Sequence, residues 1–266
     1  MKKMLTVFIL LFALAAAGSF SHAQDATKVY TQVGLWDVPR AQWADFQAYY
    51  EKYELPVLEK MLADGVIVEF GFDADGLHQA QGYSHSTWFI ARSLGNLEAV
   101  LKAYSQSLGP EAAAREAEFA AMISRHEDFV TEALFYRSTS ANLTSGHAVG
   151  NGVRVKRGRM SDFRQAWESW SKPVYDQLVA DGTIVAYILD TPYFHTSEES
   201  LGSVWTWYIL RDLSDQHKVD AAFDSARDKL SPVDRSSRRL LYWDTIEEGS
   251  HRDGMSRLIH YQSKGQ

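Results

Sequence analysis

The amino-acid sequence predicts an α+β fold in which two tandem copies of a βαββαβ unit make up most of the chain. The main observation is an internal repeat, because residues 45–68 align without a gap with residues 162–185 at an offset of 117. Both copies contain Pro-Val, then Ala-Asp-Gly, then Ile-Val, and their aromatic positions match in type. A second observation is that strand-like and helix-like segments follow in the same order in both halves. Repeats of this kind define the architecture of a chain.

The first half begins with a strand-like segment, residues 29–36, that is rich in β-branched and aromatic residues. Residues 40–63 carry apolar residues at steps of three and four, which predicts an amphipathic helix. Pro56 lies inside this pattern and predicts a kink or a break near Glu54. The Asp-Gly pair at 64–65 predicts the end of the helix, because Gly supplies a left-handed C-cap. The other predicted elements are strands 66–73, 86–92 and 132–137 and helices 94–108 and 111–127.

The second half repeats this order after a polar linker at residues 138–146, and Pro173 repeats Pro56. Its predicted elements are strands 148–155, 183–190, 204–211 and 239–245 and helices 160–178 and 214–230. Helix 111–127 has no full counterpart, so we expect an insertion in the first half. The predicted divisions are a leader at 1–23, the two repeats at 24–141 and 142–246, and a polar C-terminal tail at 247–266.

The order strand, helix, strand, strand, helix, strand is that of the ferredoxin-like split βαβ unit. In this unit both helices cover one face of an antiparallel sheet. The third strand carries apolar residues on both faces, since successive side chains alternate. Leaving such a face exposed would be unfavourable, so we expect the free faces of the two halves to pack together.

The doubled βαββαβ order, the helix that ends in Ala-Asp-Gly and the aromatic third strand together resemble the dimeric α/β-barrel superfamily. The resemblance covers residues 29–245. It implies that two ferredoxin-like units share one barrel, here as a pseudo-dimer fused in a single chain. Members of this superfamily include cofactor-independent monooxygenases, haem-dependent enzymes, isomerases, cyclases and lyases. The resemblance therefore implies a fold and no single reaction.

The first residues have the pattern of a secretory signal peptide: a basic start, an apolar run, and small residues before a cleavage site after Ala23. We therefore expect a periplasmic or secreted protein. The chain has no Cys, which excludes disulfides and Cys-ligated metals. Removal of Lys2 and Lys3 would leave 25 basic residues against 34 acidic ones. This acidic balance argues against a nucleic-acid or anionic-membrane partner. The apolar run is also too short to span a bilayer comfortably, so we expect no stable insertion in a membrane.

Candidate catalytic residues are two loop histidines and one strand carboxyl group. His78 and His195 lie at the repeat offset in the loops between the second and third strands, and His is suited to proton transfer near neutral pH. Solvated loop histidines are the simpler alternative. Glu69 interrupts an apolar strand where the other half has Ala186. If Glu69 points into the barrel its pKa should be raised, which suits an acid or a base.

Candidate ligand-binding residues lie on and beside the third strands. They are Trp88, Trp207, Arg92, Arg211, Tyr83 and His85. In each half the Trp and the Arg share one strand face, and an Arg beside an indole could hold a carboxylate or stack on the ring. The alternative is an ion pair between each Arg and the matched Asp73 or Asp190.

The sequence predicts a protein that binds a small, partly aromatic or apolar molecule in a pocket between or beside its sheets. Two alternatives stay open: an acid–base or oxygenase-type enzyme of the same fold, and a non-catalytic interaction module that uses helix 111–127. Haem is a further alternative, with His126 and His217 as candidate ligands. The absence of a CxxCH motif excludes covalently attached haem, and we assign no cofactor or metal. A homo-oligomer is left open.

Overall fold

The computed structural model describes residues 28–76, 82–194 and 202–265. The strands are β1 Tyr30–Asp37, β2 Ile67–Asp75, β3 His85–Ala91, β4 Arg125–Ser138, β5 Ser140–Leu143, β6 His147–Arg154, β7 Ala186–Pro192, β8 Ser203–Leu210 and β9 Arg252–Lys264. The helices are α1 Trp43–Tyr49, α2 Leu55–Ala63, α3 Leu94–Leu108, α4 Ala112–Met122, α5 Met160–Trp170, α6 Lys172–Ala180, α7 Gln216–Asp228 and α8 Pro232–Trp243. The predicted leader, residues 1–23, lies outside the described residues.

Eight of these strands form one antiparallel sheet that closes on itself. The order is β2-β3-β1-β4-β7-β8-β6-β9, and β9 pairs back onto β2. The short strand β5 pairs with the end of β9. The predicted α+β class is confirmed, and the sheet is barrel-like.

The strand order is the same in the two halves of the barrel. The order β2-β3-β1-β4 in the first half corresponds to β7-β8-β6-β9 in the second. The halves meet at two seams, where β4 pairs with β7 and β9 pairs with β2. Because each seam joins the last strand of one half to the second strand of the other, neither half closes the barrel alone.

The helices pack on the outer face of the sheet in two separate cores. The first core contains Phe46, Leu58 and Phe72. The second is centred on Trp167, whose indole stacks on the Phe135 ring at a centroid distance of 5.1 Å. The inner face is left for the barrel interior. None of the described helices is long and apolar enough to cross a membrane.

The predicted kink or break near Glu54 is present as a change of helix type, and the chain stays helical through it. A π-helical turn, Tyr50–Glu54, separates α1 from α2, and Pro56 lies in the first turn of α2. Pro has no N–H to donate and fits best where a helix begins. The Asp-Gly stops are also confirmed, since Gly65 and Gly182 have φ of 76° and 78°.

Residues 247–266 are not a polar tail, and the second half does not end at residue 246. They contain β9, which pairs with β2, β5 and β6. Leu258 and Tyr261 on this strand are almost fully buried. The segment reads as polar because part of its buried face is itself polar: Ser263 donates a hydrogen bond to Ser138 Oγ at 3.0 Å.

The predicted closing strand 239–245 is instead the end of α8. Ser231 caps this helix by accepting a hydrogen bond from the Asp234 N–H, and Pro232 begins its first turn. α8 occupies the place in the second half that α4 occupies in the first, so the predicted insertion at 111–127 is wrong. The interaction-module alternative rested on that insertion and loses its support.

Candidate functional site

The interior of the barrel contains a cavity of about 800 Å³. Its wall is formed by strands of both halves, so neither half makes the cavity by itself. Large apolar side chains cover much of the wall: Ile90, Phe129, Trp205, Trp207, Ile209 and Trp88. This volume lies within the range of small-molecule sites, which is about 300–1,000 Å³.

The indole rings of Trp88 and Trp207 pack directly against glycine backbone on neighbouring strands. A Cβ atom on Gly71 would lie 2.3 Å from Cζ2 of Trp88, so the indole lies against a bare stretch of β2. In the other half Trp207 lies against Gly150 and Gly254, where a Cβ atom would be 2.7 and 2.9 Å from its ring. The close approach of backbone and ring is the reason for Gly at these positions.

Asp73 is a buried carboxyl group in this wall, and both of its oxygens are occupied. Ser86 Oγ donates to Oδ1 at 2.7 Å, and Trp88 Nε1 donates to Oδ2 at 3.1 Å. Burial raises the pKa of Asp73, while these donors oppose the rise.

Glu69 also borders the cavity, at the seam between β2 and β9. The Tyr136 hydroxyl donates to Oε2 of Glu69 at 2.6 Å and lies 2.9 Å from Ser138 Oγ. Burial raises the pKa of Glu69 to about 7, although the hydrogen bonds favour the ionised form. Glu69 therefore lies on the inner face of the barrel, the position for which the sequence predicted a raised pKa.

Asp190 is the counterpart of Asp73 in the second half, and it is only 5% exposed. Thr131 Oγ1 donates to its Oδ2 at 2.6 Å. Its Oδ1 has no hydrogen-bond partner in the part of the chain that the structure describes. Burial raises the pKa of Asp190 to about 7. A carboxyl group with this pKa can take up or release a proton near neutral pH.

The cavity is acidic. Arg154 and Arg252 are the basic residues that border it among the described ones. Arg154 pairs with Glu247 at 3.4 Å, and Arg252 donates to the carbonyls of Gly249 and His251. These cations are already engaged at one end of the wall, so the interior offers carboxyl groups and little positive charge.

The predicted site residues are only partly brought together. Trp88, Trp207, Glu69, Tyr83 and His85 border the cavity. His78 and His195 lie outside the described residues.

Tyr83 and His85 border the cavity, and each also contacts residues outside it. The Tyr83 hydroxyl donates to Glu127 at 2.8 Å. The His85 ring packs against Phe46 and Phe72 in the first outer core. Burial, together with the charges of two arginines, lowers the pKa of His85 to about 4, so the ring is neutral at pH 7.

Arg92 and Arg211 are exposed just after the ends of β3 and β8, outside the cavity wall. Their predicted pairing with Asp73 and Asp190 is also wrong, since those carboxyl groups bind Ser86, Trp88 and Thr131. Alternation along the strand predicted that each Arg shares a face with its Trp, but it could not show that each strand ends one residue before the Arg.

The described residues do not fit haem. His126 stacks on Trp36 at a centroid distance of 3.8 Å, and its Nε2 lies 3.0 Å from Asp128. His217 is exposed and contacts the Ser214 carbonyl. Neither borders the cavity, and His85 is held in the outer core. No cluster of three or more His, Asp or Glu side chains able to hold a metal ion occurs among the described residues.

Two important site residues, Asp73 and Asp190, were considered from the sequence only as partners for Arg. The signal that could have found them is an acidic residue at the same repeat position in two apolar strands. Buried carboxyl groups are unfavourable unless they are hydrogen-bonded or functional. A matched pair was therefore a reason to place both inside the barrel.

No protein-family model and no curated protein matches the chain. Among solved structures, a protein from Fusobacterium nucleatum subsp. nucleatum ATCC 25586 named “putative monooxygenase” is similar, with a TM-score of 0.63 and 10% identity over 91% of this chain and 96% of that one. A protein of the same name from Lactobacillus acidophilus NCFM has a TM-score of 0.58 and 12% identity over 90% of this chain and 97% of that one. The chain has the dimeric α/β-barrel fold. At these identities the similarity shows the dimeric α/β-barrel fold alone, as the resemblance in the sequence implied.

Proposed function

We propose that this protein binds an uncharged, largely aromatic small molecule inside its barrel. The observation that carries the proposal is the cavity of about 800 Å³, whose wall combines indole rings with a few buried carboxyl groups. Such a combination is typical of small-molecule sites, in which apolar side chains supply contact area and a small number of polar groups fix orientation.

The electrostatics of the wall argue against an anionic ligand. Glu69, Asp73 and Asp190 are all buried there. A negative ligand would be placed near these groups in a medium of low dielectric, where like charges repel strongly. An uncharged molecule avoids this cost and leaves the carboxyl groups free to form hydrogen bonds.

We infer further that the chain is a fused pseudo-dimer of two ferredoxin-like units. The shared strand order and the repeat at an offset of 117 support a duplication. A single chain can change its two halves independently, which a symmetric pair of identical subunits cannot do. The barrel cavity therefore has two walls that have been able to diverge.

The binding proposal is tested with Prodan, an uncharged naphthalene dye whose emission shifts to the blue in apolar surroundings. We expect the wild-type protein to shift the emission and to melt at a higher temperature in its presence, because a ligand that binds only the folded state stabilises it. Trp207→Ala should weaken binding about tenfold, since it removes an aromatic wall.

Trp243→Ala is the matched control for this experiment. Trp243 is 58% exposed on α8, so its removal should leave dye binding unchanged. Equal effects of the two substitutions, or no response to the dye at all, would contradict the proposal.

A second candidate function is proton transfer to and from a bound carbon acid, supported by the raised pKa values of Glu69 and Asp190, both about 7. The test is deuterium uptake by 2-tetralone: a carboxylate removes a proton next to the ketone, and the enolate takes a deuteron back. Because the base must be ionised, the rate should rise with pH up to about 7 and then level off. Asp190→Asn or Glu69→Gln should remove most of the exchange, whereas Asp224→Asn on the exposed face of α7 should not.

The proton-transfer function is rejected if the protein exchanges deuterium no faster than buffer alone. It is also rejected if neither interior substitution slows the exchange, and only the binding function then remains.

A further inference from the structure

The two halves place the same two groups in the barrel but connect them differently. Asp73 and Trp88 in the first half correspond to Asp190 and Trp207 in the second. Trp88 donates its indole N–H to Asp73. Asp190 receives a hydrogen bond from Thr131 at one oxygen, and its other oxygen has no partner among the described residues.

The difference follows from which neighbouring strand carries a glycine beside each Trp. Trp88 lies between Val33 on β1 and Gly71 on β2. Its ring therefore lies over β2, the strand that carries Asp73, and its N–H reaches that carboxyl group.

In the second half the glycine is on the opposite side. Trp207 lies between Gly150 on β6 and Ile188 on β7. Its ring lies over Gly150 and towards Gly254 on β9, away from the strand that carries Asp190. Ile188 occupies the place that Gly71 leaves bare in the first half.

The second donor to Asp73 also has no equivalent in the second half. Ser86 lies opposite Asp73 in the strand register and donates to it, whereas the residue opposite Asp190 is Trp205. Asp190 therefore has no equivalent of the two donors that bind Asp73, and it accepts instead from Thr131. A buried carboxyl oxygen without a donor is energetically unfavourable, and a donor supplied by a bound molecule would relieve this cost.

We propose that Asp190 orients the ligand of the barrel by accepting a hydrogen bond from a hydroxyl or N–H group of that ligand. This inference rests on the proposed binding function and narrows its ligand class to uncharged aromatic molecules that carry at least one such donor. Asp73, whose oxygens are both occupied by the protein, keeps Trp88 in place and makes no comparable demand on the ligand.

The test compares 2-naphthol with 2-methoxynaphthalene, which differ in one hydroxyl donor, as competitors that displace Prodan. Wild-type protein should bind 2-naphthol about tenfold more tightly, the value of one good hydrogen bond. In Asp190→Asn, Thr131 can hold the amide oxygen and turn the NH₂ group to the other position, where it donates to either probe. The preference should then fall below about twofold. Asp224→Asn, on the exposed face of α7, is the control and should keep the preference.

The outcomes separate this inference from the proposed function. If Prodan and both competitors fail to bind, the proposed function falls and this inference falls with it. If Prodan binds and both competitors displace it equally, or if the preference survives in Asp190→Asn, only this inference is overturned.

If the Asp190→Asn variant does not fold, an infrared difference spectrum of the wild-type protein replaces the comparison of variants. A carboxyl band should shift with 2-naphthol and not with its methyl ether, and identical spectra would count against the assignment.

Discussion

A chain that ends at residue 251 is expected to lose cooperative folding. The deletion removes β9, which forms the seam with β2 and also pairs with β6 and β5. Without it, β2 and β6 each lose a neighbour on one side, and the barrel cannot close. The buried side chains of Leu258, Ile259 and Tyr261 are lost at the same time. Apolar burial of about 1.5–3 kcal/mol for each large side chain would by itself remove most of the stability of a typical domain.

The measurement is thermal unfolding followed by circular dichroism, with the full-length chain as reference. We expect the shortened chain to show no sigmoidal transition. Asp253→Ala is the control, because Asp253 is an exposed residue at the beginning of β9 and its side chain adds little to the pairing. A shortened chain that melts like the full-length protein would mean that β9 is dispensable.

The sequence predicted the parts of the fold that follow from local periodicity and from the repeat. The helical stripe at Phe46 and Tyr50 reappears at Phe163 and Trp167, so one assignment supported the other. Pro56 and Gly65 predicted a break and a stop because each acts through its own backbone. A sheet that is apolar on both faces predicted that the free faces of the two halves lie together, and the closed barrel was implied by the resemblance to the dimeric α/β-barrel superfamily.

The end of the chain was misread because its structure depends on distant partners. Ser263 looks like a residue of a solvated tail, yet it is 4% exposed and bound to Ser138 at the end of β4. The segment 239–245 combines apolar residues with no clear period, and short runs of this kind do not distinguish a strand from the end of a helix. Ser231 and Pro232, which begin α8 in the structure, are the signal that could have identified this helix.

The candidate site was predictable where a residue broke a local pattern, as Glu69 did. The roles of Asp73 and Asp190 were not, because they depend on strand register. The contrast between Gly71 and Ile188 has meaning only once each is known to lie beside a Trp on the next strand. A shift of one residue in register would place these side chains on the opposite face of the sheet.

Gly71→Ala is expected to destabilise the protein by about 3 kcal/mol. The new methyl carbon would lie 2.3 Å from the Trp88 ring, closer than any stable contact, so the indole must move off β2. Overpacking of this kind costs about 1–3 kcal/mol. The movement also removes the N–H donor from Asp73 and leaves one oxygen of a buried carboxyl group unsatisfied, which costs about 1–3 kcal/mol more. For a chain of this size the melting temperature should fall by about 10 °C.

Gly95→Ala is the matched control, since it adds the same methyl group near the start of α3. There the nearest atom to a new Cβ is Ser93 Oγ, at 3.9 Å. Ala is also favoured over Gly in a helix by up to about 1 kcal/mol, so this variant should be as stable as the wild type or slightly more stable. Equal melting temperatures for the two variants would show that the Trp88 ring does not depend on the bare backbone at Gly71. The different orientations of Trp88 and Trp207 would then need another cause. We attribute them to the absence of a side chain at Gly71 and the presence of one at Ile188.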